Sequence, residues 1–178
     1  MHDEAQEHRR AGGGRKGQLQ VTRLRRGGEA ERRALHQSRR EEATLQEIWF
    51  QFAGLFGVEK LQSINGPALE LEVENLSLCP IEQTRERIAR ERASGRRILF
   101  ISDTHHPGSF LGHWLRTHGF AFEKDGIYVS AEVGRTKRSG TLFRHVLEQE
   151  ELRPAELLHI GNDPIADLQV PGRLGIHT

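Results

Sequence analysis

Apolar residues recur along this chain at two different spacings, and the change falls near Gly95. Before it, Ile48, Trp49, Phe52, Leu55 and Phe56 lie three and four apart, the spacing of one face of a helix. Thr44-Leu45-Gln46-Glu47 precedes them in the Ser/Thr-x-x-Glu form of a capping box, and Gly57 can stop the helix. A second helical pattern runs from about Lys60 to Leu76 (Leu61, Ile64, Leu69, Leu71, Val73, Leu76), with a break expected near Gly66-Pro67. A third follows Pro80 through Ile81, Thr84, Ile88 and Ala89 to Ser94-Gly95. The Trp49/Phe52/Phe56 stripe is expected to be core rather than a ligand box, and residues 44–95 to form a helical, cap-like segment.

After Gly95, short apolar runs alternate with helical stretches. Strands are predicted over Ile98–Ile101, Gly126–Val129 and Leu157–Ile160. Helices are predicted from Pro107 to about His118, Arg138 to about Glu150, and Pro164 to about Leu174. Strands alternating with helices of this length mean β–α–β units and a parallel sheet. The predicted class is α/β, a partial Rossmann-like core over residues 96–178. Ligands bind such sheets at the carboxyl ends of the strands. Ser102, Lys137, Asp163 and Asp167 follow those ends and should converge there.

The amino-terminal part is different. Residues 1–18 are polar and Gly-rich and are expected to be disordered; Leu19–Thr22 alternates like a short strand. Lys16-Gly17 lies in a glycine cluster, but no Gly-Lys-Ser/Thr order and no leading strand make it a phosphate loop. Glu29 to Glu42 reads as a charged, solvated helix. Residues 1–43 carry 11 Lys/Arg against 7 Asp/Glu, whereas the remainder is slightly acidic. That basic arm could touch nucleic acid, but interspersed glutamates interrupt its field, and nucleic acid is not expected as a partner. Cys79 is the single cysteine, so no internal disulfide forms; it is expected to pack as a small hydrophobe. With no membrane-span-length apolar run and no signal-peptide core, the expected location is the cytoplasm, away from membranes.

The chemistry concentrates in three runs: Ile98-Leu99-Phe100-Ile101-Ser102-Asp103, Val133-Gly134-Arg135-Thr136-Lys137, and Leu157-Leu158-His159-Ile160-Gly161-Asn162-Asp163-Pro164-Ile165-Ala166-Asp167. Pro164 suits a first helical turn, and Asp163 could equally cap that helix. As an ordered set the runs resemble motifs two, three and four of the haloacid dehalogenase (HAD) superfamily of phosphohydrolases. The nearest likeness is to HAD-like hydrolases found beside glycosyltransferases in bacterial surface-polysaccharide loci, and it covers roughly Thr44 to Ile176. The resemblance implies hydrolysis of a phosphate monoester, of a sugar or another small metabolite, through a phospho-aspartyl intermediate with Mg²⁺. It implies that Ser102 and Lys137 bind the phosphate and serve catalysis, while Asp163, Asp167 and Asn162 hold the metal. It also implies an association with a glycosyltransferase.

Two departures bear on activity. The family pattern Gly-Asp-Asn reads Gly161-Asn162-Asp163 here, which shifts the carboxylate by one position and should weaken Mg²⁺ binding. No Asp-x-Asp nucleophile motif precedes Ser102. The chain is therefore expected to be a truncated version of such an enzyme, with little or no turnover, or a non-catalytic binding or scaffold module. The family's central strand would lie between those ending at Ser102 and Ile160. Without it those two strands must pair directly, the segment near Leu19–Leu24 must fill the gap, or a partner must supply a strand. His105-His106 is expected as a solvated loop whose rings point apart.

Overall fold

The computed structural model describes residues 28–38, 40–56 and 65–178. The expectations for residues 1–18, for Leu19–Thr22, for the stop at Gly57 and for the start of the second helix lie outside them.

Helix α1 spans 28–38, and α2 spans Leu45–Phe56. The capping box forms as expected. Thr44 N–H donates to Glu47 Oε2 at 2.7 Å, and Glu47 N–H donates to Thr44 Oγ1 at 3.2 Å. Each side chain thus satisfies a backbone donor that the first helical turn leaves unpaired. Leu45, Ile48, Trp49 and Phe52 are buried, with Trp49 and Phe52 edge-to-face at 5.1 Å. Contrary to the picture of a solvated helix, α1 joins this core through Ala30 and Ala34, four residues apart. Two small side chains on one face let a highly charged helix approach α2 closely.

Helix α3 (Gly66–Ser77) starts where the break was expected, capped by Asn65, which accepts from Ala68 N–H at 3.3 Å. A Cβ on Gly66 would lie 2.2 Å from the Trp49 ring, so the indole needs a glycine beside it. Cys79, in the linker after α3, is exposed rather than packed, and no described element covers it. Helix α4 (Glu82–Ala93) buries no residue. It is held by Arg92, which pairs with Asp125, donates to the Phe120 carbonyl at 3.1 Å and lies 4.0 Å over the Phe122 ring.

Strands β1 (Leu99–Ser102) and β2 (Gly126–Val129) pair in parallel, Leu99 opposite Gly126 and Ser102 opposite Val129. Helix α5 (Gly108–Thr117) connects them, giving the expected β–α–β unit and a mixed α/β architecture. Beyond β2 come the short α6 (Ser130–Val133) and α7 (Thr141–Gln149), which buries Leu142, Phe143 and Val146.

The expected third strand does not form. Leu157–Ile160 contributes one parallel bridge, Leu158 to His177, and does not pair with β1. Its alternation is inverted: Leu158 and Ile160 are 50% and 54% exposed, and His159 is 8% exposed. Nothing among the described residues covers the outward face. The following helix is also irregular, a π-helical turn over Pro164–Gln169 that runs into α8 (Val170–Arg173). Pro171 explains the wide turn, since it lacks the N–H that would bond the Asp167 carbonyl and its ring crowds that carbonyl.

Candidate functional site

The loops after β1 and β2 are tied together before any reactive group is placed. Ser130 Oγ accepts from Thr104 N–H at 2.8 Å and donates to the Thr104 carbonyl at 3.2 Å. Asp103, just past β1, accepts the Lys137 backbone N–H through both oxygens, at 2.8 and 3.0 Å. On the other side of the Lys137 loop sits Glu41. Its carboxylate accepts from Thr136 N–H at 2.9 Å and from the Ser139 and Thr141 hydroxyls at 2.6 and 2.7 Å. Burial acts to raise the Glu41 pKa, but these donors outweigh it and hold the group below its usual value. The loop that carries Lys137 is thus held by two carboxylates from distant parts of the chain, Asp103 on the lysine N–H and Glu41 on its neighbours.

Clamped in this way, Lys137 meets the acidic turn. Its Nζ donates to Asp167 Oδ1 at 2.6 Å, and His159 Nε2 lies 2.9 Å from the same oxygen. Asp167 Oδ2 accepts from the backbone N–H groups of Asn162 and Asp163 at 3.0 and 2.9 Å. Burial would raise the Asp167 pKa; the donors from Lys137, Asp163 and His159 and the lysine charge overcome it and hold the carboxyl well below the usual range. An ionised Asp167 only accepts, so His159 carries its proton on Nε2. Burial lowers the His159 pKa despite the adjacent carboxylate, so the ring is neutral near pH 7. Gly161 completes the arrangement, because a Cβ there would sit 2.2 Å from Asp167 Cγ.

Asp163 takes the capping role. Its Oδ1 accepts from Ile165 and Ala166 N–H, each at 2.8 Å, and its Oδ2 pairs with Arg138 at 3.0 Å. Mg²⁺ asks for oxygen ligands with lone pairs directed at the ion. The oxygens of Asp167, and those of Asp163, already accept hydrogen bonds, and Asn162 contributes its backbone N–H. In this arrangement the donor set does not suit Mg²⁺. Both Asp167 oxygens accept two hydrogen bonds each, and Asp163 Oδ2 accepts one, from Arg138, so these residues form one hydrogen-bonded turn.

Lys137 and Asp167 therefore meet, as the residue spacing predicts, and Ser102 stands at the carboxyl end of β1 beside Asp103. Three participants escaped sequence reasoning. Asp103 follows Ser102 directly but carried no assigned role. His159 was concealed inside an apolar run, where a lone polar residue signals only a buried partner. Glu41 lies in a charged helix-like stretch, and nothing local links it to a loop 95 residues away. No family model matches this sequence, and no curated protein matches it.

Proposed function

We propose that this chain is a HAD-like α/β domain that recognises phosphate monoesters of small metabolites or sugars and hydrolyses them slowly or not at all. The observation that carries this reading is the meeting of Lys137 and Asp167 past the carboxyl ends of β1 and β2, with Ser102 at the same sheet end. Phosphate recognition rests on positioned donors and positive charge. Lys137 has three N–H donors, of which Asp167 takes one, and the Ser102 hydroxyl adds a neutral donor. Asp103 and Glu41 set the lysine in place. The commitment of Asp167 to four hydrogen bonds favours binding over rapid turnover, since a carboxylate saturated by donors is a poor metal ligand and a poor base.

Titration calorimetry with tungstate as a phosphate mimic tests this reading. The wild-type chain should bind it, and Ser102→Ala should weaken binding about 2- to 10-fold, the worth of one neutral hydrogen bond. Lys137→Ala, checked for folding by circular dichroism, should weaken it about 10- to 100-fold, as a charged donor implies. Absence of wild-type binding, or unchanged binding in folded Lys137→Ala, would overturn the proposal. Fast, Mg²⁺-dependent hydrolysis of p-nitrophenyl phosphate would refute its slow-turnover part.

A further inference from the structure

The histidines of the β1–α5 loop do not diverge. The rings of His105 and His106 lie 4.5 Å apart, inclined at 51°. Glu70, from α3, stands over the same spot, its Oε1 3.3 Å from His105 Nε2. One ligand atom from each of Glu70, His105 and His106 lies within 4.8 Å of the other two. No other group of three histidine, cysteine or acidic residues among the described residues converges in this way. We propose that Glu70, His105 and His106 bind one divalent transition-metal ion, with Zn²⁺ the best match.

The chemistry of the ligands selects the ion class. Two imidazoles and one carboxylate suit Zn²⁺ and its transition-metal neighbours, not the all-oxygen shells of Mg²⁺ or Ca²⁺. Tetrahedral ligands about 2.0–2.1 Å from zinc stand roughly 3.4 Å apart, so the three side chains need only close slightly. All three are half-buried, shielded enough for binding and open enough for entry.

The surroundings already hold the ligands in place. Trp49 Nε1 donates to Glu70 Oε2 at 2.7 Å, orienting the carboxylate with Oε1 toward the histidines. Thr104 Oγ1 lies 3.1 Å from His106 Nδ1 and accepts the His106 backbone N–H at 3.2 Å. A metal bound through His106 Nε2 would leave Nδ1–H to donate to Thr104 Oγ1. Partners of this kind fix the tautomer and orientation of metal ligands. Thr104 is itself locked by Ser130, and the His105 carbonyl accepts from Leu45 N–H at 2.9 Å. Three protein ligands leave the fourth position of a tetrahedron for water or an exogenous group, the pattern of zinc sites that do chemistry rather than purely structural ones. An ion here would also staple α3 to the loop that follows β1.

Titration calorimetry with ZnCl₂ on the full-length, tag-free chain is the test, with thermal denaturation alongside. The wild type should bind one equivalent and gain thermal stability with zinc, because only the folded chain brings the ligands together. Glu70→Gln, His105→Ala and His106→Ala should each weaken binding by about tenfold or more, and Thr104→Val by a comparable factor. Cys79→Ser should bind as the wild type does, which removes the exposed thiol as the source of the signal. A variant that fails to fold is replaced by its milder counterpart, His105→Gln or His106→Gln. No stoichiometric zinc binding, or equal affinity in the folded histidine variants, would sink the proposal. None of these substitutions touches Ser102 or Lys137, so tungstate binding stands or falls separately.

Discussion

Asp167 shows how a single side chain is determined by what reaches it. Four donors surround its carboxylate, and the one most sensitive to pH is His159. Burial holds the His159 pKa below 6.5, so in the window beneath that value the unfolded chain binds more protons than the folded one. The stability tied to a neutral His159 is present above about 6.5 and is lost as pH falls through the lower folded value. Asp167, also depressed, adds a loss of the same sign, but only below its ordinary value of 3.8. Urea denaturation from pH 7.5 to 5 should show wild-type stability falling and His159→Gln falling less steeply. Parallel pH profiles for the two proteins would show that the ring is not held neutral by the fold.

Helix α2 carries the main apolar cluster, and its start is set within four residues. The Thr44–Glu47 box was legible because both partners lie inside one turn, where geometry follows from the helix alone. Thr44→Ala should cost about 0.5–2 kcal/mol in chemical denaturation, with Thr44→Ser close to the wild type. An alanine variant as stable as the wild type would mean that packing alone fixes the helix start. The helix after Asp163 is the opposite case. Its first turn was predictable from Asp163-Pro164, but its widening at Pro171 was not. An interior proline breaks, kinks or widens a helix, and residue order does not say which; here a widened turn over Pro164–Gln169 precedes the buried Pro171.

Among the described residues, apolar packing does not hold every element. Helix α4 fully buries no residue and is anchored by Arg92, whose side chain is 14% exposed and whose partner Asp125 is 4% exposed. Removing one member of such a pair leaves the other charge buried without its counterion. Arg92→Ala should therefore cost about 3–5 kcal/mol. Arg90→Ala, which breaks the exposed pair with Glu86, should cost under about 1 kcal/mol. Equal, small effects in a denaturation series would show that α4 is not tied to the segment before β2 by this contact. At this scale the sequence named the β–α–β unit and the strand ends past which Lys137 and Asp167 meet. It overestimated the sheet, because Leu157–Ile160 has the composition of a strand but no neighbour on β1 to complete it.

Helix faces, the cap at Thr44, the strand Gly126–Val129 and the placing of Ser102, Lys137 and Asp167 near strand ends could all be read from residue order. Each follows from backbone periodicity or from contacts within a single turn. Which lone pairs remain on a carboxylate, and which side chains share a space, could not be read that way. Glu41 reaches Thr141 across 100 residues, His159 shares an Asp167 oxygen with Lys137, and Glu70 meets His105 only because α3 packs beside the β1–α5 loop. Hydrogen-bond saturation and metal-ligand convergence depend on such distant encounters, and packing of the whole chain is what creates them.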